Sequence, residues 1–301
     1  MKLIRLSNDK GKLWETKGRK AKGPIKWQPA TERGVFMKKG IIVILVAFIL
    51  TFSSLNATAM EIASLDTRHI ESGILSVQYN TSNLPATKIM IENGTERKFY
   101  NLHADRTEES FPLSLGNGEY TISFLEHISG NQYRPFKTEL LQVDIKNESG
   151  IYLSSVQEIR WDEDMAAIQK AAELTDGMTS DLEKTIAVYE YIVQNISYDY
   201  DKIALLTSSY LPDINSIFAE NKGICYDYAS LFAAMLRSVG VQARMAKGYA
   251  PGVTEYHAWN EVFVGGQWRT LDTTMDAAYW QAGRSVDMFK ETAKFNKTSE
   301  V

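Results

Sequence analysis

The stretch KGICYDYASLFAAMLRSVG, residues 222–240, decides the fold of the second half of this chain. From Cys225 onward its apolar residues recur at helical spacing, at Ala229, Phe232, Ala233, Leu236 and Val239. Gly240 then ends the periodic run, as glycine commonly does after a helix. The pattern predicts a helix from Cys225 to about Val239, with the single cysteine of the chain on its first turn.

A thiol at a helix N-terminus meets the positive end of the helix dipole and backbone N–H groups that lack intrahelical partners. Both favour the thiolate, which is the nucleophilic form of cysteine. The same N–H groups can stabilise an oxyanion that forms on a substrate carbonyl. Most free cysteines in proteins, however, are buried and unreactive. The surroundings of Cys225 fit both a nucleophile and a packing residue, and other parts of the chain must decide.

The histidines narrow the choice. Three of the four histidines lie in the first half of the chain, where strand-like patterns dominate. The fourth, His257, opens the run HAWNEVFV, which alternates as a β-strand predicted over 255–264. Cys225 and His257 are therefore expected in one domain, as a nucleophile and its base must be.

A predicted hairpin adds a carboxylate. Gly265-Gly266 between apolar residues predicts a two-residue turn. Pairing across that turn sets His257 opposite Thr274 and puts Asp272 on the diagonal, roughly 7 Å away along the sheet. Asp276 lies on the other diagonal if the strand continues. The register therefore leaves two carboxylates that could serve His257.

A thiolate, a base and a carboxylate that fixes the tautomer of the base make up a cysteine acyl-transfer site. In such a site the thiolate attacks a carboxamide or peptide carbonyl, and the histidine moves the protons. The resulting thioester is resolved by water or by an amine. The residues of this chain that fit these roles are Cys225, His257 and one of the two aspartates.

Four blocks of the second half together resemble a known family. They are GICYDYASLF (223–232), ARMAKGY (243–249), HAWNEV (257–262) and WRTLDTT (268–274). Over about residues 165–280 the chain resembles the core of the transglutaminase-like superfamily, in particular its exported bacterial members. The order of cysteine, histidine and aspartate matches the pattern of the family, and so does the tryptophan before the aspartate.

This resemblance implies a papain-like α+β core built around a cysteine acyl-transfer site. It carries Cys225, His257 and Asp272 over as a catalytic triad, and it thereby selects Asp272 over Asp276. The superfamily includes proteases, amidases and protein crosslinkers, so the resemblance by itself leaves the reaction open.

We expect cysteine-dependent acyl transfer on peptide or carboxamide bonds through a thioester. Hydrolysis is favoured over crosslinking, because the domain has little chain with which to build a dry tunnel for an amine. The alternatives are a protein-glutamine amine transferase and a non-catalytic cell-surface binding protein on the same scaffold. The expected partner is a protein or peptide substrate, with cell-wall and surface peptides among the candidates.

Residues next to the predicted triad receive more modest assignments. Trp259 shares the predicted strand face with His257, which makes it a candidate substrate contact as well as a packing residue. Tyr226, Asp227 and Tyr228 are expected to support the start of the helix. Neither finger spacing nor an H-E-x-x-H pattern surrounds the cysteine and the histidine, so no metal and no cofactor are expected.

The first half of the chain has a different pattern. Alternating runs such as 74–79 and 119–125 are separated by turn signals and predict short β-strands. Several such strands in sequence favour a small β-sandwich-like module, predicted over 60–158.

Helical spacing over 164–175 and 181–196 marks the change to the second domain, and Ser180 is a candidate N-cap for the second helix. Together with the blocks above, these helices predict a transglutaminase-like domain over 162–285, followed by a C-terminal tail over 286–301. The expected fold class is α+β, a papain-like transglutaminase core preceded by a small all-β module.

The N-terminus is predicted to lie outside the fold. Residues 1–36 form a basic extension with ten Lys or Arg against three Asp or Glu. Residues 37–59, MKKGIIVILVAFILTFSSLNATA, have the layout of a secretory signal peptide, with two lysines, an apolar run over 41–52 and an A-x-A site that ends at Ala59. The alternative is an uncleaved membrane anchor over 41–52 with the domain outside. The expected location is therefore secreted or cell-surface.

The charge of the remaining chain excludes one class of partner. From Met60 onward the sequence holds 21 basic and 34 acidic residues, a net charge of −13. Nucleic acids require clustered Lys and Arg to neutralise their phosphates, so a nucleic-acid partner is not expected. A membrane contact is expected only through the N-terminal segment.

We predict that the mature protein begins near Met60 and is found outside the cytoplasm, because the A-x-A site ends at Ala59. N-terminal sequencing of the protein recovered from the cell surface or the medium tests this. Recovery of the intact chain in the membrane fraction would replace secretion by anchoring.

Overall fold

The computed structural model describes residues 4–5, 63–81 and 87–301. Apart from residues 4–5, the predicted basic extension and the predicted signal segment lie outside the described residues. Within the described part of the chain, no helix has both the length and the apolar character that a membrane crossing needs.

The alternating runs of the first half form antiparallel strands. They are β1 (Ile4–Arg5), β2 (Ala63–Asp66), β3 (Ile74–Tyr79), β4 (Thr87–Asn93), β5 (Glu96–Leu102), β6 (Glu108–Pro112), β7 (Gly118–Ser129) and β8 (Gln132–Val143). One sheet has the order β2-β3-β6 and the other the order β1-β8-β7-β4-β5. The two sheets share one apolar core, to which Leu75 and Phe111 of the first and Ile91 and Ile122 of the second contribute. This part of the chain is a small sandwich-like module.

The second half begins with helices, as its spacing predicts. Its elements are α1 (Ala166–Leu174), α2 (Asp181–Asn195), β9 (Ser197–Tyr198), α3 (Tyr200–Ile203), α4 (Ile214–Glu220), β10 (Lys222–Gly223), α5 (Cys225–Ser238), β11 (Ala243–Tyr249), β12 (His257–Val264), β13 (Gln267–Leu271), α6 (Thr273–Gln281) and β14 (Asn296–Glu300). Ser180 caps α2, and its hydroxyl accepts a hydrogen bond from the Glu183 amide at 3.4 Å. The chain is thus α+β, with a transglutaminase-like core after a β-module.

Helix α5 lies at the centre of the second half. Its residues from Asp227 to Arg237 are all buried, including every residue of the predicted apolar stripe that falls in this range. A helix that is apolar on most of its circumference is stable only when neighbours cover all its sides. Here α1, α2, α4 and α6 pack on it together with β11 and β12. The first turn, which carries Cys225, is the part that reaches the edge of this packing.

An antiparallel sheet with the order β13-β12-β11-β14 covers α5. The Gly265-Gly266 turn sets the predicted register, since Asn260 pairs with Leu271 and Val264 with Gln267. The structure corrects the predicted C-terminal tail over 286–301, because 296–300 forms strand β14 along β11. A lone five-residue strand carries a weak sequence signal, and only the free edge of β11 gives it a partner.

The β-module and the transglutaminase-like core belong to one compact unit. The Arg237 guanidinium of α5 donates a hydrogen bond to the Ser154 carbonyl of the module at 2.7 Å. Lys98 of the module donates to the Glu300 carbonyl of β14 at 2.9 Å. Hydrogen bonds to groups that are removed from water hold the two parts together.

We predict that Gly248→Ala destabilises the fold. The added Cβ would meet the Asn296 carbonyl oxygen at 2.1 Å, and the backbone there has φ of +156°. Because that oxygen belongs to the neighbouring strand, β14 must shift, and the free energy of unfolding should fall by about 2–4 kcal/mol. Gly94→Ala is the matched control, since its φ is +62° but no atom lies within 4 Å. Urea unfolding should show a loss of only about 1 kcal/mol for the control, and equal losses would contradict the clash.

Candidate active site

Cys225 is the first residue of α5 and is partly exposed, unlike the body of the helix. Ile224 occupies the N-cap position, and its amide is bound by the buried Asp227 carboxylate at 3.0 Å. The N-cap itself has no side-chain oxygen, so Asp227 takes over part of the capping role from the third helical position. The amides of Cys225 and Tyr226 are then the helix N-terminal donors nearest to the thiol.

The Asp227 carboxylate binds other groups besides the Ile224 amide. It also receives hydrogen bonds from Lys202 Nζ at 2.7 Å and from the Tyr210 hydroxyl. A fully buried carboxylate is costly unless paired and hydrogen-bonded, and here a cation, a hydroxyl and an amide share it. The prediction that Asp227 supports the start of the helix is confirmed, and the structure adds Lys202 and Tyr210 as its partners.

The two tyrosines that flank Asp227 were also expected to support the helix start, and the structure shows how. The Tyr226 hydroxyl donates to Glu158 at 2.8 Å. The Tyr228 hydroxyl donates to the Ile196 carbonyl at 2.6 Å. Both bonds tie the first turn of α5 to segments outside the helix.

Gly223 leaves room for this arrangement. A Cβ at Gly223 would lie 2.6 Å from the Cβ of Asp227, so a larger residue would push the carboxylate out of place. Gly223 also pairs with Tyr198 in the parallel β9–β10 bridge. The bridge places Tyr198 close to the start of α5. Burial raises the pKa of the Tyr198 hydroxyl to about 12, and the charge of Cys225 adds to the shift.

His257 is the first residue of β12 and is buried. Its Nε2 lies 2.9 Å from Oδ2 of Asp272. The Cys225 side chain is near enough to the ring to raise its pKa. Because Asp272 occupies Nε2, the other ring nitrogen, Nδ1, is the one available to the thiol. The structure thus brings the three predicted triad residues together.

Asp272 has two partners. The strand β13 ends at Leu271, and Asp272 becomes the N-cap of α6, where its Oδ1 accepts a hydrogen bond from the Met275 amide at 3.1 Å. The other oxygen, Oδ2, binds His257. The capping hydrogen bond thereby fixes the Asp272 side chain in the rotamer that places Oδ2 against the His257 imidazole. The predicted pairing of His257 with Thr274 is wrong, because the chain turns into a helix before that position.

Asp276, the second candidate from the hairpin register, serves a different set of groups. It lies on the first turn of α6 and binds the Tyr189 hydroxyl at 2.8 Å and Lys290 at 2.6 Å. Burial raises the pKa of this carboxyl, and the charge of Asp272 adds to the shift, while Lys290 and Tyr189 oppose it. Its bonds anchor α6 to α2 and to the segment before β14.

Trp259 is buried and does not have the accessible position that the predicted substrate contact requires. Its side chain is 1% exposed, its ring is stacked near the His257 ring at a centroid distance of 6.5 Å, and it packs on Phe295 at 5.1 Å. A substrate cannot reach a side chain that is covered on both faces. The alternation along the strand identified the correct neighbour of His257, but packing by the 283–295 segment closes the space around it.

The charge state of His257 follows from its surroundings. Burial by itself lowers the pKa of the imidazolium, but the hydrogen bonds to Asp272 and Cys225 and the negative charges of both outweigh burial and raise the pKa to about 10. At neutral pH the ring is therefore protonated, and its Nε2 faces the Asp272 carboxylate. Among the described residues there is no group of His, Cys, Asp and Glu that could hold a metal ion.

A cysteine on the first turn of a buried helix, with histidine and aspartate on the covering sheet and its adjoining helix, defines a papain-like cysteine acyl-transfer fold. Residues 168–273 match the sequence profile of the transglutaminase-like superfamily. This part of the chain is similar to that superfamily, and the matched range contains all three predicted triad residues.

Curated relatives are similar over the same region. Kyphoscoliosis peptidase of Mus musculus is 32% identical over 114 residues, which are 34% of this chain and 17% of the relative. The Homo sapiens counterpart is 32% identical over 119 residues, with the same coverage of both chains. The chain therefore spans only about a sixth of the length of these relatives.

Solved structures show weaker likeness. A candidate cysteine protease from Cytophaga hutchinsonii is 16% identical, with 76% of this chain and 79% of that chain covered and a TM-score of 0.41. The periplasmic domain of TgpA from Pseudomonas aeruginosa is 15% identical, with 74% and 98% covered and a TM-score of 0.33. The assignment to the superfamily rests on the profile match and on the site.

We predict that Asp272→Asn lowers the pKa of His257, because the variant loses the charge and the acceptor that hold the proton on the ring. Imidazole 15N resonances can follow the titration, since the chain has only four histidines and His257→Gln assigns the one of interest. His127→Gln, in the β-module, is the matched control. A His257 ring that titrates near 6.5 in the unaltered protein would contradict the geometry.

The same shift makes stability depend on pH. Because the folded pKa of His257 lies above its ordinary value of 6.5, the stabilisation from its charged form is complete below pH 6.5 and is lost as pH rises through about 10. The free energy of unfolding of the unaltered protein, relative to His257→Gln, should therefore fall over that interval. An unchanged difference between pH 6 and 10 would refute the ion pair.

Proposed function

We propose that this chain is a cysteine-dependent enzyme that transfers the acyl group of a peptide or carboxamide bond through a thioester on Cys225. The observation that carries the proposal is the buried pair of His257 and Asp272, 2.9 Å apart, with Cys225 near enough to raise the pKa of the ring. A packing cysteine needs neither a protonated imidazole nor a carboxylate behind it. The protonated ring favours a thiolate, the form that attacks a carbonyl.

In the first step the Cys225 sulfur bonds to the carbonyl carbon, and the carbon–nitrogen bond of the substrate breaks. The proton on His257 passes to the leaving nitrogen, which departs as ammonia or an amine. The amides of the first turn of α5 are the donors for the oxyanion that forms in between. Tyr198, whose backbone pairs with Gly223 just before Cys225, is a candidate for a further donor.

The second step uses the change in charge at the cysteine. Once the sulfur is acylated it carries no negative charge, so one of the interactions that raise the pKa of His257 is lost. The neutral ring can then accept a proton from the group that attacks the thioester. Asp272 stays bound at Nε2 in both steps and keeps Nδ1 directed at the reaction.

We favour water as the acceptor. Water at roughly 55 M outcompetes an amine unless the site excludes it and positions the amine. The chain has 32 residues from Cys225 to His257 and 15 from His257 to Asp272, which leaves little length for a tunnel. The peptidase name of the mouse and human relatives also supports hydrolysis of a peptide bond.

Transfer to an amine is the second candidate, and an aromatic rim favours it. Tyr198 and Tyr200 contact each other at a ring distance of 4.8 Å on one side of the site. Tyr249 and Tyr256, the latter adjacent to His257 in the chain, form a second pair with rings 5.8 Å apart. Aromatic walls can shield a thioester from water, and this rim would make part of such a wall.

The location of the activity is part of the proposal. The signal-like segment over 37–59 supports export to the cell surface or the medium. Surface or cell-wall peptides would then be accessible substrates.

Mass spectrometry separates the three outcomes. The full chain is incubated with a glutamine-containing protein and a labelled primary amine, and the protein is weighed before and after. Chain cleavage or deamidation supports hydrolysis, and incorporation of the label supports crosslinking. Label incorporation faster than release of ammonia or of new chain ends would reverse our preference.

We predict that Cys225→Ala abolishes the activity while leaving the fold nearly unchanged. Loss of the nucleophile should lower the rate by about 10³-fold or more. The melting temperature of the variant should stay close to that of the unaltered protein, since the side chain is small and partly exposed. Activity of the variant near that of the unaltered protein would place the chemistry elsewhere.

A further inference from the structure

A short loop beside the cysteine is held firmly at several points. Its first residue, Asp199, donates its amide to the Gly223 carbonyl at 3.0 Å. Further along, Lys202 and Tyr210 both bind Asp227 on the first turn of α5. The β-module adds a fourth anchor, since the Asn101 side chain donates to the Ser208 carbonyl at 3.2 Å.

Between these anchors the loop presents apolar side chains to solvent. Tyr200 is 75% exposed, Ile203 48%, Leu205 78% and Leu206 40%. We call these four residues the apolar ridge. Four large apolar side chains within seven residues, all open to water, are unusual on a soluble domain, where such residues are commonly scattered singly.

The anchoring shows that the exposure is built into the fold. A loop pinned by a buried carboxylate and by two backbone carbonyls cannot turn its apolar side chains inward without losing those bonds. Binding to a preformed apolar surface loses less conformational entropy than binding to a mobile loop, which must first become ordered.

The apolar ridge is continuous with the candidate active site. The Tyr200 ring contacts the Tyr198 ring, and Tyr198 pairs with Gly223, two residues before Cys225. Lys202, on the same helical turn as Ile203, binds the carboxylate that caps the helix of the nucleophile. A chain that presents its carbonyl to Cys225 would have to run close to the ridge.

We propose that the apolar ridge binds apolar side chains of an extended polypeptide substrate, next to the carbonyl that Cys225 attacks. The inference rests on the proposed function for the position of that carbonyl and names its substrate class. A free amino acid amide or other small amide would leave the ridge in water. The substrate is therefore a polypeptide with apolar residues around the reactive bond.

Charge argues against two other occupants. The chain from Met60 onward carries a net charge of −13, and Asp199 and Asp201 lie within the loop. An anionic lipid surface and a second acidic copy of this chain are both repelled by such a charge. A neutral or basic peptide meets no such penalty.

Binding can be measured without chemistry in the full-length Cys225→Ala protein. The probes are two fluorescent decapeptides with a central glutamine, one flanked by Leu and Phe and the other by Ser and Gly. Fluorescence anisotropy should show at least about tenfold tighter binding of the apolar peptide, a difference of about 1.4 kcal/mol. The triple substitution Ile203→Ser, Leu205→Ser and Leu206→Ser should abolish that preference.

The matched control is Ile128→Ser with Leu140→Ser, which removes exposed apolar side chains from the β7–β8 hairpin of the module. It should keep the preference, and thermal melting should show both variants folded. Equal affinity for the two peptides, or a preference that survives the triple substitution, would overturn the proposal. So would a triple variant that changes only self-association or binding to anionic vesicles.

The result is independent of catalysis. If the apolar peptide binds at the ridge but the unaltered protein forms no product, the proposed function fails while the binding surface stands. If the unaltered protein turns over both peptides equally well and the ridge variant does the same, the enzyme stands and the substrate class is wrong.

Discussion

The burial of α5 is the constraint on which the rest of the structure depends. This helix is covered by four helices and by two strands of the sheet, so its axis and its first turn are fixed by packing on every side. A thiol at the end of such a helix keeps a fixed position relative to the sheet. The sheet carries the histidine, and the positions of thiol and imidazole are therefore set by the same core that stabilises the fold.

Two buried carboxylates convert this rigid framework into a site. Asp227 binds the amide before Cys225 and also the loop that carries the apolar ridge. Asp272 caps α6 and also holds the imidazole of His257. In each case a group at the start of a helix also positions a neighbouring element of the candidate site. Because a buried carboxylate without partners is costly, neither residue can leave its place cheaply.

Much of this could be predicted from local pattern. Helical spacing located α2 and α5 to within about two residues, and the Gly265-Gly266 turn predicted the register of the β12–β13 hairpin, which placed Asp272 near His257. Local pattern did not predict features that depend on contacts between distant parts of the chain. Trp259 lies on the predicted face yet is covered by Phe295, and β14 was taken for a tail. Both errors come from one segment, 283–300, whose few apolar residues reveal nothing until β11 offers it an edge.

The sequence by itself determined that the chain has a β-module followed by an α+β core, and which cysteine, histidine and aspartate could act together. Periodicity and turn chemistry act over a few residues, so they can be read without the fold. Only the tertiary structure decided that Asp272 is a helix cap and that Lys202 and Tyr210 meet on Asp227. It alone showed that the Tyr200–Leu206 side chains face water beside the thiol. Lys202 and Tyr210 are 25 and 17 positions from Asp227 and meet there through its buried charge, and no local spacing encodes the energy of burying a charge.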